Sequence, residues 1–225
     1  TEFIAMMFNV IAQVEQNAGA LNWLTQKFHE GGGFMYPILG CLVLGLAFSV
    51  ERLYSLTKAR VNTKQFIVKV KKALDEGGVP AAVKVCENSP GAIASVFHAG
   101  LLRADEGLDA AEKAIIAYGG IEMGFLEKGL NWISTFITIA PMLGFTGTVQ
   151  GMIEAFDAIK EAAQISPSIV AGGISVALLT TLFGLVVAII LQVFYNYFVS
   201  RIDRLVSDME ESSIQLIDAL YEMKG

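Results

Sequence analysis

Charged side chains are scarce in this sequence and absent from three long segments. Asp, Glu, Lys and Arg make up 17% of the 225 residues, compared with roughly a quarter of an average soluble domain. Residues 31–50, 129–153 and 162–200 contain none of them and no histidine. A helix needs about 20 apolar residues to cross a bilayer, so each segment is long enough. The sequence therefore predicts an all-α integral membrane protein with three transmembrane helices.

Cysteine, histidine and positive charge are also scarce, and each shortage excludes a class of function. Cys41 lies in an apolar segment and Cys86 in a charged one, so we expect no disulfide between them. His29 and His98 lie far apart, without cysteines at metal-ligand spacing, so no metal site is predicted. The formal net charge of −6 argues against a nucleic-acid partner. The sequence has no recognisable nucleophile–base pair or phosphate-binding loop, so we predict no enzyme activity, no catalytic residue and no cofactor.

The distribution of Lys and Arg predicts how the chain crosses the membrane. Most of the sixteen basic residues lie between the first and second apolar segments, several of them close to a segment end. The positive-inside rule places such connections in the cytoplasm. We therefore expect residues 58–128 and 201–225 to be cytoplasmic and the N-terminus to lie on the other side of the membrane.

Helical periodicity and turn residues divide the rest of the chain. Apolar residues recur at spacings of three and four near the N-terminus, which predicts an interfacial helix that ends at a hinge, Gly31–Gly33. Ser166 and Pro167 are typical of a helix start, and this helix is expected to reach about Met223. The predicted segments are an N-terminal periplasmic or interfacial helix with its hinge (1–33), the first transmembrane helix (34–57), a cytoplasmic helical region (58–128), the second transmembrane helix (129–156), a short periplasmic loop (157–166), the third transmembrane helix (167–200) and a cytoplasmic C-terminal helix (201–225).

The second apolar segment is predicted to be the end of a much longer helix. Between Leu108 and about Glu161, Pro141 is the one strong helix breaker that we recognise in the sequence. The long cytoplasmic connection should therefore continue directly into the membrane. Shorter helices are expected before it, over roughly residues 58–76, 79–88 and 90–103.

Small residues form one row on each of the two inner segments. At 100° per residue, each row falls on one helical face. The two rows, with their neighbouring small-residue and hydroxyl positions, are Pro141, Gly144, Gly147, Thr148, Gly151 and Ala155 on the second helix and Gly173, Ala177, Thr180, Thr181, Gly184 and Ala188 on the third.

These rows allow two interpretations. Small residues let helices approach closely in lipid, so both rows can be ordinary packing surfaces within one monomer. The threonine hydroxyls can likewise bond carbonyls of their own helix. Alternatively, the rows line a narrow, uncharged lumen with hydroxyl rings at Thr148 and Thr181, around a partner helix that slides or rotates. Thr180 would then add to the hydroxyl lining.

The three apolar segments contain no side chain that ionises readily near neutral pH. Proton relays inside membranes depend on Asp, Glu, His, Lys or Arg, and all five types are missing from the three apolar segments. If ions cross here, the titratable group must therefore belong to another chain. The alternative is a membrane assembly scaffold that conducts nothing.

Two motifs resemble a known family. Residues 139–152, IAPMLGFTGTVQGM, are similar to the A-P-x-L-G-x-x-G-T-V-x-G-M signature of the MotA/TolQ/ExbB proton-channel family. Residues 173–185, GISVALLTTLFGL, resemble its third-span motif G-I-x-E-A-L-x-x-T-x-x-G-L, and Tyr195-Asn196 matches the Y-N that closes that span. The three-span layout and large cytoplasmic connection fit the ExbB/TolQ branch.

The resemblance implies a pentameric ring in the bacterial inner membrane, with a periplasmic N-terminus and a cytoplasmic C-terminus. It implies that the ring encloses two helices of an ExbD/TolR-type single-span partner, each with an ion-binding Asp, beside which Thr148 and Thr181 line the pore. Proton motive force would then move a TonB/TolA-type periplasmic protein, for TonB-dependent transport or envelope maintenance. The proton is the expected coupling ion, and Na⁺ stays open because hydroxyls can coordinate it.

One position departs from the family pattern. The third-span motif usually has Glu where this chain has Val176. An essential proton relay through that carboxylate is therefore excluded here, and the partner's Asp is left as the one titrating group in the expected pathway.

Overall fold

The computed structural model describes residues 19, 22–58, 63–162 and 167–224. Most of the predicted N-terminal helix and the proposed N-cap Ser166 lie outside these residues. Within the described ranges the chain is helical and has no strand. The helices are α1 (residues 22–30), α2 (Met35–Lys58), α3 (Thr63–Glu87), α4 (Ala92–Leu102), a 3-10 turn (Ala104–Glu106), α5 (Leu108–Glu127), α6 (Leu130–Ala162) and α7 (Pro167–Lys224).

Three of these helices are long and apolar enough to cross a membrane. Their candidate spans are Met35–Thr57, Leu130–Glu161 and Val170–Met223. Each span overlaps one charge-free segment of the sequence over most of that segment's length. Together with the helical secondary structure of the described residues, the spans fit an all-α membrane protein. Helix α7 continues for 58 residues, as expected from the apolar seam that follows its membrane segment.

The first of two compact units comprises the described residues within Thr1–Leu46 and Ser134–Gln192. It contains the first half of α2, most of α6 and the first part of α7. Before α2, Gly31–Gly33 form a turn in which Gly32 has a φ of 73°, a left-handed conformation that glycine adopts at little cost. Gly45 of α2 lies against Leu191 of α7, where a Cβ on the glycine would be 2.5 Å from Leu191 Cδ1.

The second unit comprises Ala47–Ile133 and the described residues within Val193–Gly225. Its apolar core is built from α3, α4, α5 and the end of α7. Phe97 is fully buried, and its ring centroid lies 5.6 Å from that of Phe66. Leu216 and Leu220 of α7 join the same cluster, so the seam expected in the C-terminal segment packs against the helical region of residues 63–127.

The structure corrects the expected continuous helix from Leu108 to Glu161. Helix α5 ends at Glu127 and α6 begins at Leu130, because Gly129 adopts a φ of 92°. One residue in a left-handed conformation does not change the spacing of apolar residues on either side of it. The sequence pattern therefore predicted one continuous helix. Pro141, the breaker named from the sequence, lies inside α6 without ending it.

A buried arginine, Arg52, packs against the helix break at Gly129. Arg52 of α2 is 7% exposed, and its Nε would be 3.1 Å from a Cβ placed on Gly129. Arg52 donates from Nε and Nη2 to the two carboxylate oxygens of the adjacent Glu51, at 2.8 and 2.7 Å. A buried guanidinium needs such compensation, and this pair provides it beside the turn.

Candidate functional site

Helices α6 and α7 meet within one chain through their rows of small residues. A Cβ on Gly184 would be 2.6 Å from the carbonyl oxygen of Ala140, and a Cβ on Gly151 would be 3.1 Å from the carbonyl oxygen of Gly173. Gly173 in turn lies against Ala155. The two backbones are therefore in contact over several turns, which is the close approach that small residues permit in lipid.

Thr180 occupies the space that Gly147 leaves open. A Cβ on Gly147 would lie 2.7 Å from Thr180 Oγ1, and a Cβ on Gly144 would lie 2.8 Å from the Thr180 carbonyl oxygen. Thr180 is 1% exposed and donates to the carbonyl oxygen of Ala177 at 2.9 Å. Thr180 therefore lies between α6 and α7 of one chain, and its place in a pore lining stays a prediction.

Thr148 and Thr181 form a hydroxyl pair across α6 and α7. Their Oγ1 atoms are hydrogen-bonded to each other. Thr148 Oγ1 also lies 3.0 Å from the carbonyl oxygen of Ala177, and Thr181 Oγ1 lies 3.3 Å from that of Gly144. Both threonines are half-buried, so the pair bridges the helices and still has exposed surface.

The remaining row members complete the packing surface. Ala177 is 2% exposed, and its Cβ would be 3.3 Å from a Cβ on Gly151. Pro141 and Ala188 are half-buried. The structure thus brings together most of the predicted small residues as an interface inside one chain. Their exposure to a shared lumen stays a prediction.

The hydrogen-bond partners of the hydroxyl pair are uncharged. Toward the end of α6, Glu154, Asp157 and Glu161 are exposed, and Glu154 accepts a 2.9 Å hydrogen bond from Gln150. No group of three or more His, Cys, Asp or Glu suited to a metal occurs in the part of the chain that the structure describes. A hydroxyl both donates and accepts a hydrogen bond without titrating near pH 7, so the pair can relay or solvate a cation but cannot carry its charge.

Val176 is half-buried near the turn before α2. Its Cγ1 would be 3.6 Å from a Cβ on Gly32. An apolar side chain therefore stands where the third-span motif has a carboxylate, and it lies close to the turn at Gly32. The site has no substitute acid at this position.

Sequence reasoning missed two contacts that shape this site. It selected Pro141, whereas the neighbouring Ala140 is the residue that contacts Gly184. It also gave no role to Gly45, which lets Leu191 pack closely against α2. A small residue isolated in the middle of an apolar segment was the available signal for both.

Comparison with known proteins supplies relatives for most of the chain. The family model described as the MotA/TolQ/ExbB proton channel family matches residues 88–211. A protein named as a biopolymer transport ExbB homolog in Methanothermobacter thermautotrophicus is 34% identical over 82% of this chain and 66% of its own length, just under two thirds. A biopolymer transport protein named ExbB-like 3 in Synechocystis is 30% identical over 83% of this chain and 90% of its own length. The Tol-Pal system protein TolQ of Haemophilus influenzae is 34% identical over 39% of this chain and 38% of its own length.

Proposed function

Because the chain belongs to the MotA/TolQ/ExbB proton channel family, we propose that it is the ring-forming subunit of an ExbB/TolQ-type ion-driven motor. Five copies surround an ExbD/TolR-type dimer of single-span helices in the bacterial inner membrane. The N-terminus is periplasmic and the C-terminus cytoplasmic. The assembly converts proton motive force into mechanical work on a TonB/TolA-type periplasmic protein.

The observation that carries this proposal is the hydroxyl pair of Thr148 and Thr181. It bridges two closely packed helices on residues that are half-buried, and its hydrogen-bond partners are uncharged backbone carbonyls and the hydroxyls themselves. A proton pathway needs polar atoms at the depth where the ion is exchanged, and these two hydroxyls are polar groups that join α6 to α7 on residues that are not fully buried. The acid that binds the ion is then supplied by the partner.

The energetics favour a scheme in which the partner carries the ion-binding Asp and this chain supplies the apolar wall that the Asp passes. Moving one charge through 100 mV yields about 2.3 kcal/mol, several times thermal energy and enough to bias one step of a partner helix. A bare carboxylate at the bilayer centre costs at least about 2.5 kcal/mol. The partner's Asp therefore passes the apolar wall of this chain in its neutral form, which couples protonation to movement.

Val176 supports a scheme in which this chain carries no proton itself. Its side chain packs near Gly32, and a valine cannot take up a proton. The coupling ion we propose is H⁺. A hydroxyl pair can also contribute oxygen ligands to Na⁺. The uptake experiment below therefore compares H⁺ with Na⁺ as the coupling ion.

The experiment that tests the proposal is ion uptake into liposomes with defined gradients of H⁺ or Na⁺. The chain is reconstituted alone, with an ExbD/TolR-type partner, and with that partner carrying Asp→Asn in its span. We expect proton uptake from the wild-type pair alone. Equal uptake by the chain without any partner would contradict the division of labour, and no uptake in any arm would favour a non-conducting scaffold.

A further inference from the structure

The second unit contains a cavity of about 780 Å³ that the proposed motor does not use. It lies between the end of α2, the start of α3 and the part of α7 that follows residue 196. Its volume falls within the range of roughly 300–1,000 Å³ that is usual for ligand sites. The charge-free segments of the sequence end at Glu51 and Arg201, so the cavity lies where two membrane segments leave the apolar region.

The α7 wall of this cavity changes character along the helix. Phe198 comes first, followed by Arg201 and Arg204, and then by Asp208 and Glu211. These positions are three or four residues apart and share one helical face. At 1.5 Å per residue, Arg204 and Asp208 are about 6 Å apart along the axis. Along α7 the cavity wall is therefore first apolar, then cationic at the two arginines, and then acidic at the two carboxylates.

The side chain of Arg201 is positioned by Tyr197, one turn earlier in α7. Arg201 donates from Nε to the hydroxyl of Tyr197 at 3.2 Å, and its guanidinium lies 5.7 Å from the centre of that ring. In the described part of the chain, no ion pair joins Arg204 to Asp208 or Glu211. The cationic and acidic groups thus remain available to an occupant that carries both charges.

We propose that this cavity binds a phospholipid whose head group carries both a phosphate and a primary ammonium, of the phosphatidylethanolamine class. The phosphate pairs with Arg201 and Arg204, since guanidinium groups bind phosphate through charge-assisted hydrogen bonds. The ammonium pairs with Asp208 and Glu211. The acyl chains lie toward Phe198 and Leu53, on the apolar side.

The charge order distinguishes this occupant from its competitors. An anionic lipid such as phosphatidylglycerol would bring no cation to Asp208 and Glu211. Phosphatidylcholine carries a quaternary ammonium, which has no N–H to donate to these carboxylates. A soluble phosphate would leave the apolar side chain of Leu53, which is 46% exposed, uncovered. Basic cavities between transmembrane helices at the cytoplasmic leaflet are a general setting for lipid head groups.

The test is native mass spectrometry of the full chain with an equimolar mixture of phosphatidylethanolamine, phosphatidylcholine and phosphatidylglycerol. We expect wild-type protein to retain phosphatidylethanolamine about tenfold over each competitor, because each competitor loses at least one hydrogen bond to a charged group. Arg201→Gln with Arg204→Gln should abolish retention. Asp208→Asn with Glu211→Gln should remove the preference over phosphatidylcholine. Leu53→Trp, which fills the cavity without changing charge, should also reduce retention.

Matched controls lie in the same unit outside the cavity. Arg103→Gln and Glu112→Gln alter exposed charges and should leave lipid retention unchanged. The proposal is overturned if wild-type protein retains the three lipids equally, or if the arginine variants keep their lipid. It is also overturned if glycerophosphoethanolamine, the soluble head group, displaces the lipid at an equal concentration. A change of oligomer mass in the arginine variants with lipid still bound would assign the cavity to a neighbouring protein chain instead.

Discussion

Gly147 of α6 and Thr180 of α7 are in such close contact that a Cβ on the glycine would lie 2.7 Å from Thr180 Oγ1. Because Gly147 has no side chain, the buried Thr180 side chain fits against it within the same chain. Thr180 hydrogen-bonds its own helix at the Ala177 carbonyl, so its hydroxyl is satisfied there. Thr148 and Thr181, by contrast, are only half-buried and hydrogen-bond each other across the two helices.

The first prediction concerns the contact between α6 and α7. Gly184→Ala should destabilise the fold by about 1–3 kcal/mol, because the new methyl would meet the Ala140 backbone carbonyl at 2.6 Å and the helices must move apart. Thermal unfolding in detergent or nanodiscs measures this. Gly172→Ala is the matched control on the same helix, since nothing lies within 4 Å of its Cβ position. Equal stability of the two variants would mean that the helices do not pack in this register.

The second prediction separates the hydroxyl pair from simple packing. Thr148→Val with Thr181→Val keeps the shape and removes both hydroxyls. Stability should fall by about 0.6 kcal/mol for each interhelical hydrogen bond lost, whereas ion uptake in the presence of the partner should fall severalfold.

The control for this experiment is Thr146→Val on the same helix. Thr146 is exposed and its hydroxyl donates to its own helix at Met142 O, 2.8 Å away, so uptake should be unchanged. Thr148→Ser with Thr181→Ser should restore uptake. Normal uptake in the double valine variant would assign the two threonines to packing alone.

The third prediction concerns the turn between α5 and α6. Gly129→Ala should destabilise the protein, because alanine disfavours a φ of 92° and its Cβ would lie 3.1 Å from Arg52 Nε. Gly124→Ala, within α5 and with nothing within 4 Å, should instead stabilise by up to about 1 kcal/mol through helix propensity. Thermal unfolding of both variants checks the opposite signs, and the same sign for both would argue against the break at Gly129.

The fourth prediction concerns the pH dependence of thiol labelling. Burial raises the pKa of the Cys86 thiol from 9.0 to about 12, and the thiolate is the reacting species. In a Cys41→Ser background, alkylation of folded protein should be very slow and should rise from pH 7 to 9.5 without levelling off.

A cysteine introduced at exposed Ser95 of α4 is the comparison for Cys86. Its labelling should be fast and should level off near the ordinary thiol pKa. Unfolding the protein in dodecyl sulfate should make the two cysteines react alike. Rapid labelling of Cys86 in the folded chain would place it outside the core formed by α3 and α4.

The three apolar helices and the family were predictable because their signals are local. A run without charge identifies a membrane segment regardless of the rest of the chain, and residues 139–152 carry a dense motif. The family resemblance is confirmed by the matches to the family model and to ExbB and TolQ proteins. The extension of α7 to Lys224 likewise followed from a periodic apolar seam.

The partner of each helical face was not predictable. Periodicity places Gly144, Gly151 and Gly184 on particular faces, but it does not say whether a face meets its own chain or another. The break at Gly129 was missed because one backbone dihedral angle decides it, and its contact with Arg52 joins residues far apart in the sequence. Burial of Thr180 was missed for the same reason, since it depends on Gly147 lying opposite.

The most direct test of the account asks which protein owns the carboxyl group that takes up the proton. Infrared difference spectroscopy of the reconstituted complex would follow the protonated-carboxyl band as the pH is changed, with ¹³C-aspartate incorporated in the partner alone. The account predicts that the band shifts to the ¹³C frequency and disappears with the partner's Asp→Asn variant. A band at the unlabelled frequency that survives that variant would place a titrating carboxyl in this chain and contradict the account.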